Sequence, residues 1–280
     1  MSEHRIAARL LETEVTIHLA GCGGNGAQML YRLARMDRAI RSLGHPAGIY
    51  VRAFDPDLVS AANLGRQLFT PDDIGRNKAD VLVQRVNLFH GLSWDAEPEA
   101  YGGQGETYES DYFGARTSMR RACDILITCV DSAKARREIH HGITQHRRGA
   151  QHTPLYWLDL GNTQSTGQVV LGEPIDAVNA QGSRRPRLPT VVEVFPELLD
   201  ETIPEDNRPS CSLAEALESQ DLFINDLIVG WAGQLLWDLF RKGKITKHGA
   251  FINAGDYLVS PLPVPAPNPE KPARKTRARQ

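Results

Sequence analysis

Cysteine is scarce, with four in 280 residues (Cys22, Cys123, Cys129 and Cys211), and no C-x-x-C pair occurs. That excludes a disulfide framework and the usual zinc spacings and fits a reduced, cytoplasmic setting. The first residues, with Glu3, His4, Arg5 and Arg9, hold no apolar signal core. Long apolar runs are missing too. The most apolar late stretch, Leu227 to Trp237, is interrupted by Gln234 and followed by Asp238, far short of a membrane span. Neither is there an excess of one charge, since 32 basic residues face 34 acidic ones, which argues against a protein that coats nucleic acid. The balance is uneven: from Lys271 onward five basic residues occur and no acid. That basic tail allows at most a weak contact with DNA or an acidic partner. No internal repeat is present.

What the chain does have is 41% apolar residues in an alternation of short buried strands and helices. Val15–Ala20, Ile49–Phe54, Asp124–Val130 and Leu155–Leu160 read as strands. Gly26–Ser42, Lys78–Phe89 and Ser132 to about Arg148 read as helices between them. This predicts an α/β fold with a doubly wound, Rossmann-like, mostly parallel sheet. Glu173–Ser210 contains six prolines and reads as a long crossover loop, a kind of segment that is often functional. A helix is expected over Ala214–Phe240, and Phe251–Asn253 as a last strand. Prolines at 261, 263, 265, 267, 269 and 272 lead into the basic end. The expected organisation is therefore one domain over 1–262 and a disordered tail over 263–280.

Gly21-Cys22-Gly23-Gly24-Asn25-Gly26 follows the first strand and opens a helix, the context of a phosphate-binding loop. Glycines permit positive φ and close backbone approach, and the helix N-terminus favours an anion. A tight turn with no ligand is the bland alternative. Asp55, with Asp57 behind it, ends the second strand and is suited to ribose hydroxyls of either NAD or ATP.

Two further stretches carry more information. Asp55-Pro-Asp57-Leu-Val59-Ser-Ala-Ala-Asn63-Leu-Gly-Arg66-Gln67 is followed by Gly75-Arg-Asn-Lys78, and later by Thr128-Cys129-Val130-Asp131. These, with the glycine loop, resemble the motifs of the ThiF/MoeB family, bacterial relatives of ubiquitin-activating enzymes, over roughly residues 12–165. The Pro-rich segment and the run Pro209–Asn225 are most similar to ThiF-like proteins of PRTRC plasmid-associated gene sets.

The resemblance implies an ATP-dependent adenylyltransferase. Its substrate would be the C-terminal carboxylate, ending in glycine, of a small ubiquitin-like or sulfur-carrier protein. Asp55 would take the ribose, and Asn63, Arg66 and Lys78 the phosphates, with Asp57 and Gln67 beside them. Asp131 would hold Mg²⁺, the only metal expected, since the two C-x-x-C pairs of zinc-binding members are missing. Arg136 would lie near the nucleotide, and Ser132 stands where many relatives carry Asn. A homodimer is implied, with Arg5 or Arg9 reaching the neighbouring site. Cys211 would occupy the position of a thioester-forming cysteine, whereas Cys22, Cys123 and Cys129 read as packing residues. His140, His141 and His146 read as part of a solvated face. The rival readings are an NAD-dependent oxidoreductase and a nucleotide-binding scaffold without turnover.

Overall fold

The computed structural model describes residues 2–102, 122–144, 153–174, 187–200 and 220–266. The strands are β1 (His4–Arg5), β2 (Val15–Ala20), β3 (Ile49–Phe54), β4 (Asp95–Glu97), β5 (Ile125–Thr128), β6 (Tyr156–Asn162), β7 (Thr166–Gly172), β8 (Lys244–Ile245), β9 (Lys247–Asn253) and β10 (Leu258–Pro263). The helices are α1 (Arg9–Glu12), α2 (Gly24–Ser42), α3 (Lys78–His90), α4 (Ala133–Thr144), α5 (Val191–Val194) and α6 (Ile224–Lys242).

The main sheet has the order β10-β9-β7-β6-β5-β2-β3-β4. Its β6-β5-β2-β3-β4 half is parallel, and β7, β9 and β10 add antiparallel neighbours. The doubly wound α/β expectation holds.

Alternation within the strands sorts side chains to two faces. Val15, Ile17, Leu19, Ile125 and Ile127 join the larger core beneath α2, α3 and α6, while Ala20, Leu126, Trp157 and Val170 join a smaller one with Ile139 and Ile143 of α4 and Val191 and Val192 of α5. Helix α3 starts where Asn77 accepts a hydrogen bond from the Asp80 N–H, and stops at Gly91 in the left-handed region.

Several boundaries differ from the sequence reading. Helix α2 starts two residues earlier, at Gly24, because the glycine loop turns directly into the helix. Residues 220–223 are not helical and α6 begins at Ile224, so the helix expected from Ala214 is shorter; residues 201–219 lie outside the described residues. The crossover holds α5 and a 3-10 turn over Pro196–Leu199. The ordered chain also passes the expected 262/263 boundary. Pro261 and Pro263 belong to β10, a sheet edge where a missing N–H costs no ladder bond, and Val264 is buried with its N–H on Thr246 O. Residues 267–280 of the expected tail lie outside the described residues. His140, expected on a solvated face, stacks on Trp157 with ring centroids 6.2 Å apart; His146 is outside the described residues.

Candidate functional site

The carboxyl ends of β2, β3 and β5 open on one crevice, beside the point where the chain switches from one side of β2 to the other. The glycine loop lies at the end of β2. Gly21 has φ +91°, and a Cβ there would meet Cys129 O at 2.8 Å; a Cβ on Gly26 would lie 1.8 Å from Gly21 O. Both positions therefore require glycine, and the first turn of α2 is drawn tightly onto β5.

Asp55, at the end of β3, is buried, and its carboxylate accepts from Cys22 N at 2.6 Å and Asp57 N at 2.8 Å. Burial pushes its carboxyl above the usual range, opposed by Lys78 and by the two N–H groups. Each oxygen keeps a second lone pair for a ligand hydroxyl. Lys78, the first residue of α3, is buried and sets its Nζ 2.8 Å from Asp57 Oδ2. Asn63 spends its amide oxygen on Ser60 N, at 2.9 Å, closing its own turn, which leaves only its NH₂ end for a ligand.

Arg66 donates to Gln220 Oε1 at 2.6 Å. Burial lowers its guanidinium below the ordinary value, and nearby Asp131 opposes that shift. Asp131 follows β5 and is exposed. With Arg136, Asn162, Gln168, Phe195 and others it lines a cavity of about 380 Å³. Gln168 and Phe195 also line a second cavity of about 330 Å³ that runs over Phe251, Ile252 and Leu258 on β9 and β10.

Four buried polar atoms around the start of α2 have no hydrogen-bond partner: Asn25 Oδ1, Arg66 Nε, Gln67 Oε1 and Asn225 Nδ2. Gln67 lies against Gly23, and Asn225 against Gly24. Unmet buried groups are uncommon in folded proteins. The two donors among them, Arg66 Nε and Asn225 Nδ2, suit an anionic ligand at a helix N-terminus, while the two amide oxygens suit a ligand's donor group. Among the described residues no group of three or more His, Cys, Asp or Glu is placed to hold a metal ion. One carboxylate such as Asp131 is nevertheless what Mg²⁺ commonly takes from a protein when phosphates supply further oxygens.

Pairwise contacts thus link the glycine loop to Asp55, Asp55 to Asp57, Asp57 to Lys78 and Gln67 to Gly23, with Asp131 in the field of Arg66 and Asn63 closing the turn before it. Arg136 does not face the crevice freely. Its guanidinium is buried, with Nε 2.9 Å from Asp159 Oδ1 and the rest on the carbonyls of Val130 and Leu160. Arg9 pairs with Asp124 at the opposite end of β5. Cys22 and Cys129 have thiols pushed up by burial, against use as nucleophiles; Cys211 is outside the described residues. The sequence reading gave no site role to Asn162 at the end of β6, Gln168 on β7, Phe195 in the crossover, or Gln220 and Asn225 at the approach to α6, because only the folded chain brings these distant segments to the crevice.

The ThiF family pattern matches residues 7–264. The chain belongs to the ThiF family. Curated relatives of this ThiF-family chain include ubiquitin-activating enzyme E1 1 of Candida albicans, 26% identical over 193 residues, covering 67% of this chain and 17% of that protein. Ubiquitin-like modifier-activating enzyme 5 of Oryza sativa is 27% identical over 139 residues, covering 47% and 30%. Among solved structures, Escherichia coli MccB with ATP, and again with AMPCPP and MccA, superposes with a TM-score of 0.53 at 13% identity, covering 89% of this chain and 64% of MccB. That likeness shows the fold. The chain spans less than two thirds of each of these proteins.

Proposed function

We propose that this ThiF-family chain is an ATP-dependent adenylyltransferase. Its substrate would be the C-terminal carboxylate of a small ubiquitin-like or sulfur-carrier protein ending in glycine. The observation that carries the reading is the gathering of unpartnered buried polar atoms at the start of α2, alongside Lys78, Arg66, Asp55 and Asp131. The MccB structure with ATP and the named activities of the two curated relatives support it. A nicotinamide reading leaves Arg66, Lys78 and Asp131 without work.

In the reaction a carboxylate oxygen of the carrier attacks the α-phosphorus of ATP. The bond to the bridging oxygen breaks, and pyrophosphate leaves with the electron pair. Two anions must meet, so the chain's task is electrostatic. Lys78 and Arg66 offset the growing charge, Asp55 accepts from the ribose, and the N-terminus of α2 faces the phosphates. Asp131 would hold Mg²⁺, which when bound shields the phosphate oxygens and favours departure of pyrophosphate. The cavity over Gln168, Phe195 and Phe251 suits an extended, mostly apolar C-terminal tail. Cys211 is the candidate thiol for a later thioester, and a homodimer is the expected assembly.

The test is Mg²⁺-dependent ATP–pyrophosphate exchange with a β-grasp protein ending in glycine. Exchange is expected only with that partner. It should fall by about 10²-fold or more in Asp131→Ala, with unchanged thermal melting because Asp131 is exposed. Full activity in that variant would overturn the assignment.

A further inference from the structure

Helices α2 and α6 begin against each other. An ideal Cβ on Gly24, the first residue of α2, would lie 2.3 Å from Nδ2 of Asn225, the second residue of α6. Two helix N-termini therefore converge on one place, each with partial positive charge and N–H groups that lack intrahelical acceptors.

Asn225 is 2% exposed, and its Nδ2 is without an acceptor, while its Oδ1 accepts from Gln220 Nε2 at 3.2 Å. The other end of Gln220 accepts from Arg66 at 2.6 Å, and Arg66 Nε is a second buried donor without an acceptor. The neighbouring carboxylate, Asp226, is turned away to Gln28 Nε2 at 3.0 Å and lies in the field of Arg32. The spot between the helices thus offers two unmet donors, Asn225 Nδ2 and Arg66 Nε, beside the unmet oxygens of Asn25 and Gln67, and Asp226 is engaged elsewhere. A buried donor left unmet carries its desolvation cost until an acceptor arrives.

We propose that Asn225 is a phosphate-binding residue of the nucleotide site, supplied from beyond the Pro-rich crossover, and that Gln220 is a placeholder that competes with phosphate for Arg66. The ligand class is the polyphosphate of a nucleoside triphosphate, so the inference rests on the nucleotide reading above. When phosphate arrives, Arg66 exchanges the neutral Gln220 oxygen for a charged one, a stronger hydrogen bond. Asn225 Nδ2 gains the acceptor it lacks.

The experiment is equilibrium binding of ATP and of adenosine to the full-length chain, with thermal melting as a control for folding. Asn225→Ala is expected to lose about tenfold in ATP affinity, the worth of one hydrogen bond to a charged group, and less than twofold for adenosine. Asn225→Asp keeps the shape but adds a negative charge, and should lose more ATP affinity than Asn225→Ala. Gln220→Ala is expected to bind ATP at least as tightly as the wild type. Three results would overturn the inference while leaving the nucleotide reading intact. They are wild-type ATP affinity in both Asn225 variants, equal losses for ATP and adenosine (an interhelix packing role), or a Gln220→Ala loss that matches Asn225→Ala. A wild-type chain that binds no ATP would overturn both.

Discussion

Lys78 Nζ lies 2.8 Å from Asp57 Oδ2, joining the buried first residue of α3 to an exposed carboxylate just past β3. The pair is lopsided: the Lys78 side chain is 10% exposed and that of Asp57 is 64% exposed. Losing the amine leaves a solvated Asp57 carboxylate and a buried Asp55 that still accepts two N–H groups, whereas losing the Asp57 carboxylate leaves the buried cation with Asp55 alone nearby. Lys78→Met is therefore expected to melt within a few degrees of wild type while pyrophosphate exchange falls by about 10²–10³-fold. Asp57→Asn should show the reverse order, with the larger loss in melting temperature. Calorimetry and exchange on the two proteins check this.

Gly26 and Gly44 separate crowding from backbone strain. An added Cβ on Gly26 would lie 1.8 Å from Gly21 O, whereas Gly44 has φ +98° and open space around it. Gly44→Ala is expected to cost about 1–2 kcal/mol, from the left-handed backbone alone. Gly26→Ala should cost more than about 3 kcal/mol, since the backbone itself must move, and should abolish nucleotide binding. Urea titrations compare them; equal costs would refute the crowding argument.

Asp159 is fully buried on β6. It accepts from Arg136 Nε at 2.9 Å and from Thr128 Oγ1 at 2.6 Å. Removing it leaves the guanidinium buried without a counter-charge. Asp159→Ala is expected to cost about 3–5 kcal/mol in urea unfolding. The double variant with Arg136→Leu should lose less than the two single losses combined.

His248 is buried on β9 and donates to Leu171 O at 2.9 Å. Burial lowers its pKa, and the bond to the carbonyl only partly opposes this. The unfolded chain therefore takes up a proton near the ordinary pKa of about 6.5, before the folded one does. This contribution to stability is present above that pH and is lost as pH falls below it. Half-buried His140, also lowered by burial, acts with the same sign. Unfolding free energy is expected to drop from pH 7.5 to 5.5, with a shallower slope in His248→Gln.

The parallel half of the fold was legible because its signals are local. Val15–Ala20 and Ile49–Phe54 match the observed strands residue for residue, since short runs dominated by apolar and β-branched residues and followed by glycine or aspartate read as buried strands even with Thr16, His18 and Arg52 in them. At the edge of the parallel half β4 was missed: its three residues, which include Asp95 and Glu97, pair with β3, too short and too charged to stand out. The antiparallel half was mostly missed as well. Strand β7 begins Thr-Gly-Gln and is held by pairing with β6 and β9. Strand β10 was hidden by Pro261 and Pro263, which read as an extended tail until the sheet supplied an edge for them.

The sequence by itself determined the doubly wound core, the glycine loop and the spacing of Asp55, Asn63, Arg66, Lys78 and Asp131. Those rest on apolar periodicity, on backbone angles that suit glycine, and on motifs in which neighbours along the chain stay neighbours in space. Tertiary structure alone decided that Arg136 is committed to Asp159, that Gln168 and Phe195 line the cavity beside Asp131, and that Gln220 and Asn225 reach Arg66 and Gly24. Gly24 and Asn225 are some two hundred residues apart. Only the order of strands in the sheet, set by burying both of its faces at once, brings the starts of α2 and α6 together.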